Sequence, residues 1–128
     1  MTKEVTHDFF IDGRLPGLNE YTNANRTNRF KASKMKKDTE EHIVSCIKDK
    51  LKGVDVKEPV FITYIWVEKN TRRDKDNIAF AKKFCQDSLV KAGVLKNDGW
   101  KNIIGFEDLF MVDKERPGVL VKIREIHD

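Results

Sequence analysis

The run Val60 to Val67, VFITYIWV, constrains this chain more than any other segment, because both of its alternating sets are apolar: Val60, Ile62, Tyr64 and Trp66 on one side, Phe61, Ile65 and Val67 on the other. A strand with one wet face alternates polar and apolar residues, so this run is expected at the centre of a sheet, covered on both sides. The other elements are read around it. His7 to Asp12, with Phe9, Phe10 and Ile11, is a first strand that ends in the Asp12-Gly13 turn. Leu15 to Asn28 holds four asparagines, Pro16 and Gly17 and reads as a loop of the kind that often carries function. Between Phe30 and Lys52, Ile43, Val44, Ile47 and Leu51 form the stripe of an amphipathic helix, which Gly53 stops. Asp76 to Ala92 is a second helix, striped by Ile78, Ala81, Cys85, Leu89 and Ala92, with Gly93 where a left-handed cap is wanted. Gly105 to Val112 and Val119 to Ile126 flank Asp113 to Gly118 and read as a closing hairpin. This order predicts one small α/β (α+β) domain over residues 1–128, a mixed sheet of about four strands with two main helices packed on it.

Length and charge narrow the function classes. A chain of 128 residues has no room for a second catalytic domain. Charged residues make up 36% against roughly 25% in an average globular chain, so the exterior is unusually ionic. The net charge of +4 is too small to name a polyanionic partner until its placement is known. No apolar run is long enough for a membrane span and the N-terminus is too polar for a signal peptide, so a cytoplasmic protein is expected. Cys46 and Cys85 form no CxxC pair and read as small buried hydrophobes. His7, His42 and His127 share no ligand spacing, and the absence of a P-loop or GxGxxG argues against a nucleotide cofactor.

The segment that departs from scaffold logic is Lys69 to Asn77, KNTRRDKDN, between the central strand and the second helix. Strand ends beside helix starts are where sites form. Asp74 and Asp76 are two hard carboxylates suited to Mg²⁺ or Mn²⁺. The competing explanation is that Asp76 caps the helix while Asp74 pairs with Arg72 or Arg73. On a continuous helix Asp76, Lys83 and Asp87 stand at i, i+7 and i+11 and share a face, with Lys82 at the edge of the apolar stripe; a Lys83–Asp87 pair on a solvated face is the alternative. Asp98 returns a third carboxylate to this end of the domain, or is an ordinary turn residue. Six cations, Arg26, Arg29, Lys31, Lys34, Lys36 and Lys37, fall within twelve residues without an acid, and Lys69, Arg72, Arg73, Lys75, Lys82 and Lys83 surround the acidic pair. Acids set among cations suggest a metal site within a phosphate-binding surface.

Arg72-Arg73-Asp74-Lys75-Asp76-Asn77, then Lys83, Asp87-Ser88-Leu89, Ala92-Gly93 and Asn97-Asp98, resembles the RusA family of Holliday-junction resolvases, small phage and prophage endodeoxyribonucleases. Leu15 to Tyr21, Asn25-Arg26 and the Lys-rich helix extend the likeness over most of the chain. The resemblance implies a homodimer that binds branched, four-way DNA and makes paired Mg²⁺-dependent nicks. Asp74, Asp76 and Asp98 would be the metal-binding acids and Lys83 the essential lysine. Arg72, Arg73, Lys75 and the Arg26 to Lys37 cluster would hold DNA arms through phosphates. This chain has three more residues between the acid pair and the lysine than the enterobacterial pattern, which makes Lys82 a rival, and Asn97 stands where an acidic pair is often seen. Phe80 and Val90 are candidate interface residues. A non-catalytic DNA-binding phage regulator, or a metal nuclease for other branched nucleic acids, remain alternatives.

Overall fold

The computed structural model describes residues 4–127. The strands β1 (Val5–Asp12), β2 (Val60–Glu68), β3 (Ile103–Val112) and β4 (Gly118–Glu125) form one mixed sheet in the order β1-β4-β2-β3. The helices are α1 (Leu18–Thr27), α2 (Arg29–Lys50), α3 (Lys75–Ala79) and α4 (Lys82–Lys91), the last two being one helix broken at Phe80–Ala81. The class is α+β with a mixed four-stranded sheet, as the element order predicts.

β2 is the central strand, antiparallel to β4 on one side and parallel to β3 on the other. Val60, Ile62, Tyr64 and Trp66 are fully buried beneath the helices, against Ile43, Ile47, Phe84 and Leu89. The opposite face carries no helix among the described residues: Phe61, Thr63 and Ile65 are half-buried there and only Val67, at the end of the strand, is buried, beside half-exposed Leu109 and Met111 of β3. Covering on both sides is therefore the wrong expectation. The strand is central within its sheet, yet only one of its faces is inside the core.

Three further expectations are corrected. Leu15 to Asn28 is mostly helix, because Ala24 is buried and the Tyr21 ring packs on Phe80 and Phe84, at 5.5 and 5.8 Å between centroids, while Asn19, Asn23 and Asn25 face outward. Tertiary burial outweighs the weak local preference of the asparagines. The last two strands are not a hairpin: β3 and β4 lie on opposite sides of β2, and the link between them passes the end of β2, where the Asp113 amide donates to the Glu68 carbonyl at 2.8 Å. Asp76 to Ala92 is not one continuous α-helix: the hydrogen bonding tightens to i→i−3 at Phe80–Ala81, between α3 and α4, where both residues keep helical φ and ψ. Gly93 does close α4 with φ +79°, a conformation that costs glycine little. Phe80 and Val90 pack against the core and are partly buried. Cys85 is buried, Cys46 is partly so, and both are free. Burial pushes the Cys85 thiol well above its ordinary range, as suits a packing residue.

Candidate metal and nucleic-acid site

The site begins where β2 leaves the sheet. Arg73 turns inward from the following loop. Its Nε and Nη2 donate to the two Glu68 carboxylate oxygens at 2.9 and 2.8 Å, and Nη1 donates to the Leu15 carbonyl at 3.0 Å. Glu20 of α1 lies 3.7 Å from the same guanidinium. Arg73 thus ties the end of β2 to the entry of α1, and its donors are spent on protein. It is better described as a structural clamp than as the phosphate contact expected from sequence. Gly17, at the start of α1, sits so close to α3 that a Cβ there would lie 2.6 Å from the Asn77 amide oxygen, which accepts from the Asn19 amide at 3.0 Å.

With Arg73 engaged elsewhere, the two aspartates that follow are left without cations. Asp74 occupies the N-cap position of α3 but makes no side-chain cap, and among the described residues it has no ion-pair partner. Asp76 accepts only from the neighbouring Asn77 amide, at 3.0 Å. Both carboxylates are exposed and line one pocket of about 490 Å³, with Lys75, Phe110 and Val112 around them. Lys75 stands 5.6 Å over the Phe110 ring. Asp74 takes neither of the roles proposed on structural grounds alone, a pair with Arg72 or Arg73 or a side-chain cap, whereas Asp76 does satisfy a first-turn amide of α3, that of Asn77. Two free carboxylates beside open space suit Mg²⁺, which keeps waters and is commonly held by one or two carboxylates plus substrate phosphate.

The other expected members lie apart. Asp98 lines a separate groove with Gln86, Trp100 and Phe106, and among the described residues no three His, Cys, Asp or Glu side chains are grouped to hold a metal. The face count that grouped Asp76 with Lys83 assumes a continuous α-helix, and the helix is interrupted between them at Phe80–Ala81. Lys83 is instead an exposed residue of α4 whose ammonium donates to Asp87 at 3.1 Å; that hydrogen bond raises its pKa, with the field of Asp98 adding a smaller push. Its rival Lys82 points toward the sheet, donating to Asp108 and standing 4.1 Å over the Phe106 ring. The other oxygen of Asp108 accepts from the Trp66 indole at 2.8 Å. Asp108 is absent from the sequence-based site. Its signal there was only an acid pair, Glu107-Asp108, interrupting an apolar strand, and parallel pairing with β2 is what sets it opposite Tyr64.

The basic residues fall at the end of the molecule that holds the acid pair. Lys36 lies 3.8 Å from Asp87, and Lys91 pairs with buried Glu40, so α2 and α4 run side by side in the same direction. The first turns of α2, with Arg29, Lys31 and Lys34, therefore extend toward the α3 end of α4, and α1 with Arg26 touches α3. Arg26, Arg29, Lys31, Lys37, Arg72 and Lys75 are exposed; Lys34 pairs with Asp38 at 2.8 Å, and Lys36 is partly committed to Glu40 and Asp87. Among the described residues no helix is long and apolar enough to cross a membrane. No family model and no curated protein matches the chain.

Proposed function

We propose that this protein is a divalent-metal-dependent endodeoxyribonuclease that resolves four-way DNA junctions by paired nicks. The observation that carries the proposal is the pair Asp74 and Asp76, exposed after the end of the central strand and without an ion-pair partner among the described residues, with exposed Lys75 lining the same pocket. An acidic pair facing a DNA backbone opposes binding unless it holds a cation.

Asp74 and Asp76 would hold Mg²⁺ or Mn²⁺ beside the scissile phosphate. The metal supplies activation of a water and stabilisation of charge on the phosphoryl oxygens. Lys83 is the lysine that the family resemblance assigns to the phosphate, and its i,i+4 pair with Asp87 is weak enough to exchange for a phosphate oxygen. Lys82 neutralises Asp108 and acts as a positioning residue. Arg26, Arg29, Lys31, Lys37 and Arg72 would take the arms. Two opposed cuts in a two-fold junction call for two sites related by a two-fold axis, hence a homodimer. The bare, half-apolar face of the sheet around Ile65, Leu109 and Met111 is surface that such a dimer would cover.

The separate placement of Asp98 favours a second reading, a DNA-binding protein without catalysis. One experiment distinguishes the two: the purified protein, Asp76→Asn and Asp98→Asn are incubated with a four-way junction carrying a short mobile core, in Mg²⁺ or EDTA. Metal-dependent paired nicks that vanish in Asp76→Asn, with junction binding retained, support the nuclease. Junction binding without cleavage under any condition supports the second reading and removes the first. The Asp98→Asn arm reports whether that acid joins the site when DNA is bound.

A further inference from the structure

Trp100 is the most exposed of the large hydrophobic residues, with 96% of its surface open. It belongs to a turn that is held in shape: the Asn102 and Ile103 amides both donate to the Gly99 carbonyl at 3.0 Å, and the Asp98 amide donates to the Asn97 side chain at 2.8 Å. Beside the indole lies a groove of about 290 Å³, walled by Ile104 and Phe106, about half exposed, and bordered by the Gln86 amide and the Asp98 carboxylate. The ammonium of Lys82 covers one side of the Phe106 ring. Lys96 and Lys101 flank the tryptophan, exposed and without an acidic partner among the described residues.

We infer that this groove receives an unstacked nucleobase of branched DNA, laid against the Trp100 indole, with Lys96 and Lys101 on the flanking phosphates. The inference rests on the nuclease reading above and adds the contact that distinguishes a branch from a linear duplex. Phosphate contacts alone cannot make that distinction, because every duplex presents phosphates. A duplex keeps its bases stacked, whereas a branch point frees one at low cost. The groove is sized for a flat ring and has hydrogen-bonding groups at its border, and exposed Lys101 follows Trp100 directly in the chain. Stacking on an aromatic residue is tolerant of sequence, as a structure-selective protein requires.

The test uses the whole protein in Ca²⁺ or EDTA, so that binding is read without cleavage. Probes are a four-way junction and a linear duplex of the same sequence. Trp66 is buried and hydrogen-bonded to Asp108, so a change in tryptophan emission that is lost in Trp100→Ala belongs to Trp100. The expected result is quenching by the junction, together with a loss of about tenfold in junction affinity for Trp100→Ala and duplex affinity changed less than about twofold. The urea transition of the variant should match that of the wild type, since the side chain is almost fully solvated. Wild-type protein that binds and cuts junctions, with Trp100→Ala indistinguishable from it, overturns this inference and leaves the nuclease reading standing. Equal loss on duplex and junction, or conversion of a dimer to a monomer by Trp100→Ala, also overturns it, the latter identifying the groove as a protein interface. Wild-type protein that binds no DNA removes both.

Discussion

At the scale of single residues, side chains of the same type take opposite roles according to what the fold places beside them. Arg72 and Arg73 are adjacent, yet one is exposed and the other closes a bidentate pair with Glu68. Arg73→Ala should lower stability by about 2–3 kcal/mol, because it strips a half-buried carboxylate of charged hydrogen bonds; urea denaturation measures this, and an unchanged midpoint would refute the clamp. Arg72→Ala should leave that midpoint alone and weaken DNA binding. Tyr64 is fully buried, and its hydroxyl has no partner in hydrogen-bond geometry although Gln86 lies alongside. Tyr64→Phe should therefore be neutral or stabilising by up to about 1 kcal/mol. Glu125 has its pKa lowered chiefly by the hydrogen bond from His7, with His127 adding to it. A folded pKa below the unfolded value stabilises the fold above the ordinary carboxylate range, and that stability is lost as pH falls through the folded value. Glu125→Gln should flatten the acid limb of a stability–pH curve below about pH 4.5, the unfolded reference; an acid limb identical to wild type would exclude this source.

At the scale of elements, α1 and α3 depend on one another. α3 has five residues and cannot persist alone, so it draws on contacts with α1 made at Gly17, Asn19 and Asn77. Gly17→Ala places a methyl group 2.6 Å from the Asn77 amide oxygen and 3.0 Å from its carbonyl. The expected cost is about 1–3 kcal/mol, the range for overpacking a close contact. Since Asp74 and Asp76 ride on α3, the same substitution should reduce metal-dependent cleavage before the global fold is lost, which is checked by activity and circular dichroism on one preparation. Cleavage that falls only with global unfolding would show that α3 is held by other contacts. This coupling was hidden in the sequence because the asparagine-rich segment looks irregular. Its few packing residues, Tyr21 and Ala24, form too sparse a stripe to announce a helix. β1, β2, β4 and the long helix were legible because their apolar residues recur at strand or helix spacing and are buried along one face; β3 was legible from its apolar run although none of its residues is fully buried.

At the scale of the whole molecule, the cations of α1 and the first turns of α2 lie at the end that carries the acid pair. If they bind DNA arms, log affinity should fall linearly with log salt concentration, and Lys31→Ala should reduce the slope by about one. A slope unchanged in that variant would place Lys31 outside the footprint. The element types outside α1, the central position of β2 and the prominence of Asp74 and Asp76 follow from the sequence, because hydrophobic period and the chemistry of a short polar segment are local properties. Pairing order and partner choice are long-range. The sequence could not say that β3 joins β2 in parallel instead of forming a hairpin with β4, nor that this pairing brings Asp108 to Lys82. Nor could it say that Arg73 is consumed by Glu68 and Leu15. It likewise held no sign that a helix break separates Lys83 from Asp76 and leaves Asp98 in a groove with Trp100. Those outcomes depend on which distant groups meet when one face of the sheet is buried, and only the tertiary structure decides that.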